Sequence, residues 1–298
     1  MHTRDEPSQR SAFVSGPTLP KRPALATTYA GQDPALLARM LPLVEYIEVT
    51  PDSIAMIDHG RVTLHAPTMR ELRAIGRDAH IIVHGIGLSL GSHDGYSEQY
   101  LHLLEELLGQ VEVAWHSEHL GYTMVDGEYL GTMLALPRTE QVLDMLCERI
   151  YEIQERYPLP FLIENIVHLL PPYEEGYSSA AFLNALADRT GCGLLLDVYN
   201  LECDAYNHAF DIPAFLAELD LQPVREIHVA RGVEHKGFLL DVHSRCSHAS
   251  TLALAQEVIQ RGEQPPVLTY ELLPQAVPVL GHDTIVEHLN HLAHTFRS

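Results

Sequence analysis

Eight short apolar runs, many of them β-branched, succeed one another along this chain: ALATTY (24–29), YIEVT (46–50), HIIVHG (80–85), VEVAWH (111–116), PFLIEN (160–165), GLLLDV (193–198), EIHVA (226–230) and VLTYEL (267–272). Longer segments with helical periodicity separate them, among them EQYLHLLEELLGQ, TEQVLDMLCERIYEIQERY, SSAAFLNALADRT, IPAFLAELD and ASTLALAQEVIQRG. Thr139, Ser178 and Asp211 stand where such helices would begin, each offering a side-chain acceptor to the free amides of a first turn. Eight strands alternating with helices predict an α/β fold, a parallel sheet closed into a (β/α)8 TIM barrel. An open doubly wound sheet is the alternative, but it would normally carry a glycine-rich phosphate loop after its first strand, and none is present. The spaced glycines of HGIGLSLG come after the third run and lack the following helix of a dinucleotide fingerprint.

Residues 1–22, rich in Ser, Pro, Arg and Thr, read as a flexible tail, which leaves 23–298 as a single catalytic domain. Composition removes several functions. With 19 Lys and Arg against 40 Asp and Glu, the net charge is -21, and no basic cluster offers the counterion-release surface that nucleic-acid binding needs. Lys21 and Lys236 are the only lysines, so a Schiff-base mechanism has almost nowhere to reside. Cys147, Cys192, Cys203 and Cys246 form no C-x-x-C pair, which argues against a disulfide scaffold or a cysteine zinc site. No run reaches the roughly 18 apolar residues of a membrane span, and the N-terminus lacks a signal-peptide core. A reducing cytoplasm is the expected location.

The chemistry is carried by the ends of the apolar runs. His84, Glu164, Asp197 and Glu271 close four of them, His116 and His119 follow VEVAW, and His228 lies in EIHVA. In a parallel barrel the C-terminal strand ends converge on one face, where the active site forms. A lone histidine or glutamate at a strand end is most often a hydrogen-bonded structural residue. Several together in a closed mouth would carry desolvation and like-charge penalties of several kcal/mol each unless cations neutralise them. Imidazoles and carboxylates without cysteine suit iron, manganese or zinc. Asp241 and His243, one residue apart in FLLDVHSRC, would point the same way at strand spacing. Asn200 and His208 are additional candidates, and Arg231 and Arg245 at the pocket edge could hold a carboxylate bidentately. His288, His291 and His294 recur every three residues near the C-terminus and read as a solvated helix face.

Taken in order, HGIGLSLG, SEHLGY, LIENI, GCGLLLDVYN, NHAFD, EIHVA and LLDVH resemble the multinuclear non-heme iron-dependent oxidases, the family that includes the methanobactin-forming MbnB. The resemblance spans about residues 40 to 275. It implies a xylose-isomerase-like TIM barrel with two or three irons, mixed Fe(II)/Fe(III), at its mouth and dioxygen as co-substrate. It implies as ligands His84, His119, Glu164, Asp197, His228, Asp241, His243 and Glu271, with Asn200 or His208 completing a third site. The implied substrate is a ribosomally made precursor peptide, modified at cysteine or another anionic residue, with a leader-binding partner protein as a possible helper. The competing reading is a redox-neutral divalent-metal barrel of isomerase or hydrolase type, which the same fold supports equally well.

Overall fold

The computed structural model describes residues 22–31, 33–171, 176–264 and 266–297. Apart from Arg22, the proposed tail therefore lies outside the described residues. Eight parallel strands form a closed barrel: β1 Ala24–Thr28, β2 Tyr46–Val49, β3 His80–Gly85, β4 Val113–His119, β5 Phe161–Glu164, β6 Gly193–Asp197, β7 Val224–Val229 and β8 Val267–Tyr270. Closure is by β1, whose Ala26 lies opposite Tyr46 on one side while Thr27 lies opposite Tyr270 on the other. The expected TIM barrel is the observed fold.

The period of two in each strand divides its residues between two cores. Outward side chains such as Ile47, Ile81, Val83, Ile163, Leu194, Leu196, Ile227 and Leu268 pack with Leu72, Leu104, Leu146 and Leu186 of the surrounding helices. Inward side chains make a smaller cluster of Ala24, Ala26, Tyr46, Ile82, Trp115, Leu162, Leu195 and Val267. That cluster is an apolar floor. Two residues further along the same strands, the alternation brings polar groups inward: Glu48, His84, Ser117, Glu164, Asp197 and Thr269. The mouth therefore begins one layer above the floor.

The helix starts follow the sequence reading. Thr139, Ser178 and Asp211 accept from Val142 N (3.4 Å), Ala181 N (3.0 Å) and Ala214 N (2.9 Å). Three β-hairpins were not expected: Ala55–Asp58 with Arg61–Leu64, Gly121–Val125 with Glu128–Ala135, and Val233–His235 with Phe238–Leu240. They follow β2, β4 and β7, so they decorate the C-terminal face. The fourth strand also begins later than VEVAWH and runs on to His119. The C-terminal helix His282–Arg297 corrects one expectation: its buried stripe of Ile285, Leu289, Leu292 and Phe296 includes His288, while His291 and His294 are exposed. No helix among the described residues is long and apolar enough to cross a membrane.

Candidate metal centre

Because β4 runs to His119, the rings three residues apart in WHSEH face opposite ways. His119 turns into the barrel mouth, whereas His116 is buried behind the wall with its Nε2 2.9 Å from the Tyr100 hydroxyl. Inside, His84 Nε2 and His119 Nε2 converge on Glu164 Oε2 at 3.1 and 3.2 Å. Their other ring nitrogens are held by Ser117 Oγ and by the Gly85 carbonyl, both at 2.9 Å. His228 Nδ1 lies 2.9 Å from Glu271 Oε2 and 3.6 Å from Glu164 Oε1. Donor atoms of Glu164, Asp197, His228 and Glu271 all fall within 4.8 Å of one another, as do those of His84, His119 and Glu164. Glu164 belongs to both sets, so its two oxygens can serve neighbouring ions.

A third arm comes from the loop after β7. His243 Nδ1 lies 3.0 Å from Glu271 Oε1, and His243 Nε2 lies 2.5 Å from Asp241 Oδ1. Their meeting does not come from strand alternation, since neither residue is in a strand. Instead His243 adopts φ +35°, in the left-handed region, a conformation that costs a non-glycine residue about 1–3 kcal/mol, and its carbonyl accepts from Leu273 N at 3.0 Å. Asp197 ends β6 and caps the next helix, Val198–His208, through Oδ1 to Asn200 N (2.8 Å). Asn165 clamps the same point: its Oδ1 accepts from Asp197 N and its Nδ2 donates to the Asp197 carbonyl, both at 2.9 Å.

Not every expected residue joins the cluster. Asn200 is buried at the start of its helix with Oδ1 unpartnered. His208, eight residues and about 12 Å of helix further on, contacts the His168 carbonyl through Nε2 at 2.7 Å and packs on Phe238. The structure does not bring it to the mouth. Arg231 and Arg245 share a loop in which the Arg231 carbonyl accepts from Ser244 N and Arg245 N. Two residues are additions to the sequence reading: Glu48 and Glu226, whose carboxylates lie 3.0 and 3.5 Å from His228 Nε2. Period-two alternation in YIEVT and EIHVA would have placed both inward.

The electrostatics follow from packing carboxylates against imidazoles in a dry site. Burial opposes a charge on His84, yet the Glu164 carboxylate raises its pKa to about 9. Burial is likewise outweighed at His228, by Glu48 and Glu271, and at His243, by Asp241 and Glu271, both held well above the ordinary histidine value. Asp197 is pushed up by burial and by the Asp241 and Glu164 charges. The donor set fits cations on a further ground. Asp197 Oδ2 and Asn200 Oδ1 are buried without a hydrogen-bond partner, and His84 Nε2, Glu164 Oε2, Asp241 Oδ1 and His243 Nε2 are buried with only the imidazole–carboxylate approaches given above. An unpartnered buried polar atom costs about 1–3 kcal/mol; five of these six atoms belong to the mouth, and Asn200 lies next to Asp197. One bound ion would satisfy several of them at once.

The family model for the RiPP precursor modification enzymes MbnB/TglH/ChrH matches residues 31–273. This chain belongs to that family. It is 32% identical over 252 residues to a UPF0276 protein of Anaeromyxobacter sp. (strain Fw109-5), covering 84% of this chain and 80% of that one. A UPF0276 protein of Caulobacter vibrioides is 32% identical over 227 residues, covering 76% and 79%. Among solved structures, D-psicose 3-epimerase from Clostridium cellulolyticum H10, with D-tagatose, aligns with TM-score 0.53 at 10% identity over 91% of this chain and 98% of that chain. L-ribulose 3-epimerase aligns with TM-score 0.54 at 12% identity over 91% and 93%. At such identities the likeness is one of fold, the xylose-isomerase-like barrel.

Proposed function

We propose that this chain is a multinuclear non-heme iron oxidase that uses dioxygen to modify a ribosomally synthesised precursor peptide, at cysteine or another anionic residue. The observation that carries the reading is the cluster of buried imidazole and carboxylate donors at the barrel mouth of a member of a precursor-modifying family. His84, His119, Glu164, Asp197, His228, Asp241, His243 and Glu271 would hold two or three irons in mixed Fe(II)/Fe(III) states, with Asn200 Oδ1 as a further oxygen donor. Iron, when bound, supplies Lewis acidity and one-electron redox chemistry.

The chain's own residues prepare that site. Ser117 and the Gly85 carbonyl fix the ring planes of His84 and His119, and Asn165 fixes Asp197 through its backbone. The apolar floor seals the barrel below, so water and substrate reach the site only from the mouth. Arg231 and Arg245, without ion-pair partners among the described residues, are the groups proposed to hold a substrate carboxylate. Residues 23–298 act as one catalytic unit, in a reducing cytoplasm that suits four unpaired cysteines, with a leader-binding protein as presenting partner.

Co-expression with a candidate precursor peptide, followed by mass spectrometry, tests the reading. A mass change in the peptide that depends on iron and consumes dioxygen is the expected result. An iron-loaded chain that takes up no oxygen with its peptide would overturn it in favour of redox-neutral metal chemistry.

A further inference from the structure

Below the mouth, His228 has a second set of neighbours that the ligand set does not use. The ring is fully buried and stands between two groups of carboxylates. Its Nδ1 faces Glu271 Oε2 at 2.9 Å and Glu164 Oε1 at 3.6 Å, both in the mouth. Its Nε2 faces down the barrel, 3.0 Å from Glu48 Oε2 and 3.5 Å from Glu226 Oε1. Glu48 reaches it across the interior from β2, 180 residues away in sequence.

We infer that Glu48 is a positioning residue: it accepts the Nε2–H of His228 and thereby fixes the tautomer and ring plane that present Nδ1 to the metal centre. A neutral imidazole that ligates through one nitrogen carries its proton on the other, and that N–H needs a buried acceptor. The two carboxylates beneath His228 are not equivalent for this task. Glu226 is already engaged at both oxygens, by Trp115 Nε1 at 2.8 Å and by Thr269 Oγ1 at 2.5 Å. Glu48 has no other donor among the described residues; its Oε1 is unpartnered and its side chain is 1% exposed. Trp115 and Tyr46, whose rings are 5.2 Å apart in the floor, close the space under the pair.

The same three groups, Glu48, Glu226 and His228 Nε2, also lie within 4.8 Å of one another. An additional ion held there would need His228 to give up the Nε2 proton. The two arrangements exclude each other, so the experiment decides between them.

This inference rests on the metal-centre reading, and its test separates the two. The full-length chain is prepared without metal, loaded anaerobically with Fe(II), and compared with Glu48→Ala and Glu48→Gln variants by metal content and chelator competition, with circular dichroism as the check on fold. Loss of the acceptor in Glu48→Ala should weaken the ion that His228 would hold about 10- to 100-fold. Glu48→Gln, whose amide oxygen still accepts the N–H, should stay within a few-fold of the parent. In the parent loaded with diamagnetic Zn(II), long-range proton–nitrogen correlation should find the His228 proton on Nε2, the signal being assigned by its absence from His228→Asn. A proton on Nδ1, an ion located by anomalous diffraction on Glu48, or parental affinity in a folded Glu48→Ala variant would each overturn the inference. A parent chain that binds no metal at all would instead overturn the reading of the site.

Discussion

His84 and His228 at the barrel mouth and His116 and His288 behind its wall are buried alike and behave in opposite ways, while His119, at the rim of the mouth, is lowered by burial as the wall pair is. His116 lies against the Tyr100 hydroxyl, with Glu118 Oε1 3.5 Å away, and His288 Nε2 accepts from Ser247 N; burial, with the nearby rings of His84 and His291, drives their pKa values down to about 3 and about 4. His84, at 1% exposure the equal of His116, is raised to about 9 because Glu164 lies against it. Burial by itself makes a histidine neutral. What distinguishes the mouth is the density of carboxylates, which in the absence of metal draw protons onto His84, His228 and His243. A site built this way is balanced for positive charge, supplied either by protons or by ions, and ions enter by displacing the protons.

The largest break in that comparison comes from Glu164, the carboxylate shared by two donor sets at the mouth. Glu164→Ala should weaken metal binding at least about 100-fold and abolish peptide modification, while the far-ultraviolet dichroism stays that of the barrel. Metal analysis and a folding check together read the result, and full metal content in the variant would remove Glu164 from the site.

A smaller effect separates the two regions by pH. His288 is neutral in the fold, with its pKa lowered from 6.5 to about 4. Its stabilising contribution is complete above about pH 6.5 and is lost as the pH falls through 4, a change of about 3 kcal/mol. His84 in the metal-free chain has the opposite sign. With its pKa raised to about 9, its contribution is complete below about pH 6.5 and is lost as the pH rises through 9. Urea midpoints of the metal-free chain should therefore fall on both sides, and His288→Gln should flatten the acid side alone. An unchanged acid limb in that variant would contradict the assignment.

The smallest effect is at His116. Removing its contact with the Tyr100 hydroxyl in His116→Gln should cost about 1 kcal/mol in thermal or urea unfolding and leave the metal content untouched. Metal loss there would mean that the wall and the mouth are not separate.

The barrel was legible because its strands are apolar runs that end abruptly in His, Glu or Asp, which is what a parallel strand looks like when its last inward residue has a task. Glu164, Asp197 and Glu271 stand out for that reason. Glu48 and Glu226 did not, since Glu48 sits inside its run between Ile47 and Val49 and Glu226 opens its run after Arg225, and only the period of two shows that they point inward. Phase also decides between His116 and His119: a strand starting at Val113 instead of 111 leaves the register intact but extends it to the second ring. The hairpins had a local signal as well. His59-Gly60, Asp126-Gly127 and Lys236-Gly237 all have positive φ at both positions, the geometry of a tight two-residue turn. Asp-Gly in that role is a readable pattern. Asp241 and His243 were found by spacing, although the feature that joins them, the left-handed backbone at His243, has no sequence signal because a histidine ordinarily avoids it. His208 contacts the His168 carbonyl and Phe238 instead, about two turns along its helix from Asn200.

The central claim is that the inward residues of the mouth form a multinuclear iron site, and the most direct test is metal analysis of the chain purified without oxygen and active on its peptide. The account predicts two or three irons per chain. An active preparation containing zinc alone, or fewer than one iron per chain, would contradict it.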